Sequence, residues 1–367
     1  MRIAYLCKRQ YMAKDVINDR YGRLYEIPYQ LAQFGHEVRA YCLSYQRHAS
    51  GSWRHETATN LGQLDWESRS IRPIPLLIRY PWQLLRKMRW FKPDVIICAS
   101  DIPHVALGAW LAKRLGCPFA ADLYDDFESF SQARIPGMKK LLRGAVRRAD
   151  LVTTTSAKLA ERVTQTYRVR GTVLSMPSSI DKRLFHWMNQ SACRRQLGLP
   201  TDAVLIGTAG GLKDNRGIGT LYQAWEQLAA SNEHCHLVLA GPVDKRCTPP
   251  DSDRVHYLGL LAHSEIATLF NALDIGVIYL ADDAFGRYCF PQKAYEMIAC
   301  GLPIVAAAVG AMPNLMRGAS HGLYHPGETS DLLRAVRGQL AKRQIPSAPI
   351  KTWAESISEF EAQLRRL

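Results

Sequence analysis

The sequence predicts an α/β protein of two domains. Its 367 residues are long for a single core. Apolar runs of strand length alternate with stretches of helical periodicity along most of the chain. A fresh unit of strand, glycine-rich loop and helix starts at Ala203. The 47% apolar composition is ordinary for a soluble globular protein, and each half can bury its own core.

In the first half, Arg2 to Leu6 and His36 to Leu43 read as strands around a helix from about Tyr21 to Gln33, which Gly35 stops. Residues 47–75 are polar and irregular, so a long loop with at most one short strand is expected there. A helix is expected to start near Pro81, with Leu84, Leu85, Met88 and Phe91 on the packed arc. The opposite face mixes Trp82 and Trp90 with Arg86, Lys87 and Arg89, a composition suited to lipid headgroups. A buried strand follows at Lys92 to Ala99, then a helix at Ala106 to Leu115, then a strand at Pro118 to Leu123. Beyond that strand comes Tyr124-Asp-Asp-Phe-Glu128, placed where open α/β sheets bind ligands, although Asp126 and Glu128 could instead cap the next helix. Met138 to Arg148 is a basic amphipathic helix, either a solvated face or an extension of the basic patch.

The net charge of +14 lies entirely before Phe185, and the remainder balances to zero. Such asymmetry points to an anionic surface, whether membrane, lipid-linked phosphate or nucleic acid. The basic and aromatic residues fall on helices without a recognised nucleic-acid motif, so nucleic acid is not the expected partner. Nine singly spaced cysteines, with no CxxC pair, favour a reducing cytoplasm and give no reason to expect a structural metal. No apolar segment has signal-peptide or membrane-spanning length, so a cytoplasmic protein is expected, peripheral on the inner membrane face if the basic helix attaches it.

In the second half, Ala203 to Gly207 is a strand leading into Thr-Ala-Gly-Gly-Leu-Lys-Asp-Asn-Arg-Gly217, where glycines permit close approach of a phosphate and cations can neutralise it. It matches neither a Walker loop nor a dinucleotide fingerprint. His236 to Pro242 is a strand ending in a turn at Gly241, and Arg254 to Leu258 is another, followed by a loop and a helix that Ser264 would cap. After the strand Asp274 to Leu280 comes the most informative stretch, Gly286 to Ala306. Pro291 fits the first position of a helix, Gly301 the position just past its end, and Leu302 to Ala306 a buried strand. Lys293 and Glu296 share a helix face near a terminus that attracts phosphate. A plain surface pair on an amphipathic helix is the alternative. Trp353, Ile357, Phe360, Leu364 and Leu367 mark a last amphipathic helix.

The run Arg-Tyr-x-x-Pro-x-Lys-x-x-Glu-x-x-Ala-x-Gly-x-Pro-Ile-Val-Ala over 287–306 resembles the nucleotide-sugar signature of the retaining glycosyltransferases of family 4, which have the GT-B fold. The resemblance implies two Rossmann-like domains facing a central cleft, an acceptor-side domain at 1–185 and a donor domain at 186–349, with a helix at 350–367 crossing back to the first. It implies a donor-nucleotide site of Gly210, Gly211, Lys213, Arg216, Gly241, Leu260, Leu261, Phe290, Pro291, Gln292, Lys293 and Glu296. Gly211 stands where the family has arginine and Arg216 where it has lysine. The first of the family's two glutamates corresponds to Tyr288, so donor-sugar contacts fall to Tyr288 and Asp283. Of a His-Asp pair near the transferred sugar only Asp125 carries over, position 124 being Tyr.

Arg216, Glu296 and Asp125 are accordingly the catalytic candidates, with front-face attack guided by the leaving phosphate. No cofactor or metal is implied. The expected partners are a nucleotide sugar, a glycan or polyprenol-linked acceptor and an anionic membrane surface. A nucleotide-sugar epimerase on the same fold, a basic nucleic-acid-binding protein and a non-catalytic scaffold are the alternatives.

Overall fold

The computed structural model describes the whole chain apart from residues 13, 47, 72–74 and 232–233. The chain divides into two compact units, residues 1–178 with 353–367, and residues 179–352. The first unit runs through β1 (Arg2–Lys8), a short ribbon of β2 (Gln10–Tyr11) and β3 (Lys14–Asp15), α1 (Arg23–Gln33), β4 (Glu37–Ser44), β5 (Gly51–His55) and β6 (Gln63–Ser70). It continues with α2 (Pro75–Phe91), β7 (Val95–Ala99), α3 (Ile102–Leu115), β8 (Phe119–Leu123), α4 (Met138–Val146), β9 (Leu151–Thr154), α5 (Ala157–Tyr167) and β10 (Thr172–Ser175). Eight strands make one sheet in the order β10-β9-β8-β7-β1-β4-β6-β5, parallel except where β5 meets β6. β7 and β8 are buried along their whole length, as expected of parallel strands covered by helices on both faces.

The second unit comprises α6 (Gln190–Gln196), β11 (Val204–Ala209), α7 (Ile218–Ser231), β12 (Cys235–Ala240), β13 (Val255–Tyr257), α8 (His263–Ala272), β14 (Ile275–Ile278), α9 (Ala284–Tyr288), α10 (Gln292–Ala299), β15 (Ile304–Ala307), α11 (Met312–Leu315), β16 (Leu323–Tyr324) and α12 (Thr329–Ala341). Its six strands are parallel, in the order β13-β12-β11-β14-β15-β16. The chain builds outward from β11 through β12 to β13, then returns to the other side of β11 with β14. That reversal opens a crevice beyond the carboxyl ends of β11 and β14, where doubly wound sheets hold ligands. The last helix, α13 (Trp353–Leu364), belongs to the first unit. Trp353, Ile357, Phe360 and Leu364 join that unit's core, and Glu361 contacts the His36 ring at 2.9 Å.

Four local expectations are corrected. The stretch expected to be a loop at 47–75 contains two strands, with Trp53 paired opposite Trp66, while residues 47 and 72–74 lie outside the described residues. Leu64, Trp66 and Ser68 point inward between polar neighbours, a period-two pattern hidden by the charged outward face. α2 starts at Pro75, so Pro81 is interior to it; Leu84, Leu85, Met88 and Phe91 are buried as the wheel requires. Their burial is worth roughly 6–12 kcal/mol before entropy. Ser264 lies inside the first turn of α8, whose cap residue is Ala262, and Glu265 instead accepts the Ala262 N–H at 2.7 Å. Pro291 is the cap residue of α10, one place before its first helical position. No helix among the described residues is long and apolar enough to cross a membrane.

Candidate functional site

The crevice of the second unit is built by two glycine turns held side by side. β11 ends at Ala209 and β12 at Ala240; the Gly210 N–H donates to the Ala240 carbonyl at 2.9 Å, and the Leu212 N–H to the Pro242 carbonyl at 2.9 Å. Gly210 has φ 118° and Gly241 φ 122°, a region that side-chain-bearing residues rarely enter. A Cβ on Gly241 would stand 2.1 Å from the Gly210 carbonyl oxygen, so neither the conformation nor the space admits another residue. The Gly241 N–H in turn donates to the Gly259 carbonyl at 2.7 Å, tying the loop of Leu260 and Leu261 to the same turn. Leu260 is 77% exposed, whereas Leu261 leans on the unit's core.

Cations enter from two sides. Arg216 ends a short 3₁₀ turn, and its guanidinium stacks 3.6 Å from the centre of the Phe285 ring. Lys293, in the first turn of α10, brings its ammonium 5.2 Å from the centre of the Tyr279 ring. A Cβ on Gly210 would meet the same ammonium at 3.3 Å. Tyr279 leaves β14 at its carboxyl end, and its hydroxyl donates to the Gly211 carbonyl at 2.9 Å. Burial pulls the Lys293 pKa down to about 8, partly offset by Glu296 and reinforced by Arg216. A desolvated ammonium and a guanidinium held close together favour a polyanion between them.

Glu296 lies one turn along the same helix face and is 7% exposed. Gln292 donates to its Oε1 at 3.3 Å, and the His263 Nε2 stands 3.5 Å from the same oxygen. Pro291 is buried, while Phe290 meets Tyr295 edge to face at 4.8 Å and lines the start of the helix.

Thus Gly210, Gly211, Gly241, Lys293 and Glu296 come together with Arg216 nearby. Lys213 is exposed, and its side chain also borders the turn: a Cβ on Gly211 would stand 3.4 Å from its Cε. Asp283 serves as the cap of α9, accepting the Gly286 N–H at 2.8 Å, and Asp282 pairs with Arg287 at 2.7 Å. Tyr288 is the last residue of α9 and half-buried. Sequence reasoning missed Tyr279, Phe285 and His263; the signal for Tyr279 was its place just past a buried strand.

In the first unit Asp125 accepts the Asp126 N–H at 2.8 Å beyond β8, and Asp126 caps the following turn at the Glu128 N–H, 3.2 Å away. Glu128 itself pairs with Arg143 at 2.6 Å. No local pattern announces the fully buried pair of Arg23 and Asp122 at 2.6 Å, which Thr153 and the Met176 carbonyl complete. On α2, Trp82 and Trp90 are 58% and 75% exposed, and Arg86 and Arg89 are exposed, but Lys87 is engaged by Glu67.

Comparison with known proteins gives this geometry a family. Residues 23–177 match the glycosyl transferase 4-like domain, and residues 203–342 match the glycosyl transferases group 1 family. The chain belongs to glycosyltransferase family 4. It has the GT-B fold: it resembles sucrose-phosphate synthase from Thermosynechococcus elongatus with a TM-score of 0.71 at 18% identity, covering 100% of this chain and 96% of that one. Anabaena HepE, solved in complex with UDP, matches with a TM-score of 0.66 at 18% identity over 99% and 95% of the two chains. By sequence, the D-inositol 3-phosphate glycosyltransferase of Stackebrandtia nassauensis is 27% identical over 286 residues, which are 71% of this chain and 62% of that protein. The enzyme of the same name from Mycobacterium bovis is 29% identical over 210 residues, 51% of this chain and 42% of the relative.

Proposed function

We propose that the protein is a retaining glycosyltransferase that moves a sugar from a nucleotide diphosphate sugar to a glycan or lipid-linked acceptor. The observation that carries this reading is Lys293 set against the Gly210 turn at the strand reversal of the second unit, with Arg216 near enough for its charge to act on that ammonium. Two cations and a backbone free of side chains suit a diphosphate, both bound and departing. Glu296, buried on the same helix face, suits the ribose hydroxyls. Leu260 and Leu261 suit a nucleobase edge. Family membership supports the class of reaction, and the UDP complex of HepE supports a nucleotide donor.

Catalysis then rests on stabilising the leaving diphosphate. Arg216 and Lys293 neutralise charge that grows as the anomeric bond breaks, and the departing phosphate accepts the acceptor's proton on the same face, which retains configuration. Asp125, at the carboxyl edge of the first unit's sheet, is the carboxylate assigned to the acceptor side. Tyr288 and Asp283 are assigned to the donor sugar, Asp283 only if it leaves its helix cap. The outer face of α2, with Trp82, Arg86, Arg89 and Trp90, is assigned to attachment at an anionic membrane surface on its cytoplasmic side. Thermal-shift titration with UDP, GDP and ADP tests the donor site: one of them should raise the melting temperature of the wild type and not of Arg216→Ala, and no response to any would refute the assignment.

A further inference from the structure

At the amino-terminal edge of the first unit's sheet, opposite the edge assigned to the acceptor, lies an open cavity of about 520 Å³. Arg2, Arg89, Lys92 and Arg114 line it, with Asp94 as the only carboxylate. Asp94 is already engaged: it accepts the Arg2 N–H at 2.7 Å and lies 3.7 Å from the Arg2 guanidinium. Arg89, Lys92 and Arg114 are exposed, and none of the three has an ion-pair partner among the described residues. Cations at the ends of α2 and α3 suit the helix dipoles, but that does not account for what adjoins them. Ile78, Trp82 and Trp90 run along the outer side of α2, 77%, 58% and 75% exposed. Trp82 packs edge-on against Trp110 at 5.1 Å, and the Arg114 guanidinium lies 5.5 Å from the Trp110 ring centre, so Trp82 and the basic cavity are one continuous surface, with Trp90 on the flank of α2 where the Arg39 guanidinium lies 5.0 Å from its ring centre.

We propose that this cavity is a headgroup pocket for an anionic phospholipid, its phosphodiester held by Arg89, Lys92 and Arg114 while Trp82 and Trp90 enter the interfacial layer. A soluble anion needs only the cations. The large exposed indoles beside them are what a bilayer interface accommodates and water does not. The cavity has room for a phosphate with its glycerol, and its charge is complementary to an anionic leaflet. The proposal rests on the membrane-attachment reading of α2 and adds to it a defined phosphate site that joins Arg89 of that face to Lys92 and Arg114 beyond it.

The test is sedimentation with vesicles of phosphatidylcholine alone and of phosphatidylcholine mixed with phosphatidylglycerol. It compares the wild type, the triple variant Arg89→Ala/Lys92→Ala/Arg114→Ala, and a charge-matched control in the second unit, Arg195→Ala/Arg337→Ala/Lys342→Ala. Circular dichroism and thermal melting, measured on each, report that the variants remain folded. Each pocket cation should contribute roughly five-fold to binding of the anionic vesicles, so the triple variant should bind about 100-fold more weakly while the control binds like the wild type. Arg114→Gln alone should bind about five-fold more weakly, which keeps the comparison should the triple variant fail to fold. Failure of the wild type to sediment with anionic vesicles overturns the membrane reading and this proposal together. Wild-type binding that the pocket and control variants lose equally overturns the pocket alone, as does full displacement by inorganic phosphate with no dependence on Trp82 or Trp90.

Discussion

Replacing Lys293 by methionine should stabilise the protein and cripple its ligand binding at once. The lysine's folded pKa of about 8 lies below its ordinary value of 10.5, so the ammonium is held in surroundings that disfavour it. Below pH 8 it is charged in both folded and unfolded states and the folded state bears the full penalty. Between pH 8 and 10.5 the unfolded chain binds more protons, so stability rises with pH across that window. At about 1.4 kcal/mol per unit the penalty is at most about 3.5 kcal/mol, an upper bound because part of the side chain stays accessible. Methionine keeps the apolar stem and removes the charge, so melting of the second unit at pH 7 should rise by up to about 5–10 °C. The lost charge-assisted contacts should weaken nucleoside-diphosphate binding about 10- to 100-fold. Scanning calorimetry of the ligand-free protein and titration calorimetry with the diphosphate that binds best read the two effects. A lowered melting temperature or an unchanged affinity would show that Lys293 is an ordinary structural lysine.

The same lysine makes diphosphate affinity fall as pH rises above about 8, by up to ten-fold per unit, with proton uptake visible in buffers of different ionisation enthalpy; a flat profile to pH 9.5 contradicts it. Gly241→Ala should destabilise the second unit by about 2 kcal/mol or more, because φ 122° and the Gly210 carbonyl both oppose a Cβ; denaturant unfolding reads this, and a neutral substitution would refute the description of the paired turns. Arg23→Met should cost the first unit about 3–5 kcal/mol by leaving Asp122 charged and buried, and the double variant Arg23→Met/Asp122→Leu should recover most of that loss, as a denaturation cycle would show.

Much of the donor site was legible because its parts are local in sequence. Gly210 and Gly211 sit between a strand and a helix, and Lys293 and Glu296 share a helix face, so spacing alone places each near a phosphate-binding terminus. Which cation completes the glycine turn was not legible. Lys213 borders the turn from within the loop, and Lys293 reaches it as well because β14 and β11 are neighbours in the sheet, a pairing across about 70 residues that no local pattern encodes. Asp283 illustrates a different limit: a carboxylate just before a short helix reads equally as a ligand group or a cap, and the Gly286 N–H shows it capping. In the first unit the strands at 51–55 and 63–70 were concealed by polar outward faces at a sheet edge, where alternation rather than apolar content is the signal. Arg23 and Asp122, 99 positions apart, meet only through the fold.

Transfer of a sugar from a nucleotide sugar held in the second unit is read out by incubating the protein with a panel of UDP-, GDP- and ADP-sugars, with and without lipid-linked and glycan acceptors, and measuring the nucleoside diphosphate released. One donor should be consumed in an acceptor-dependent way, with Glu296→Gln slower by about 10- to 100-fold through the loss of a charged hydrogen bond to the ribose. Consumption of no donor, or an equal rate in Glu296→Gln, would contradict the account.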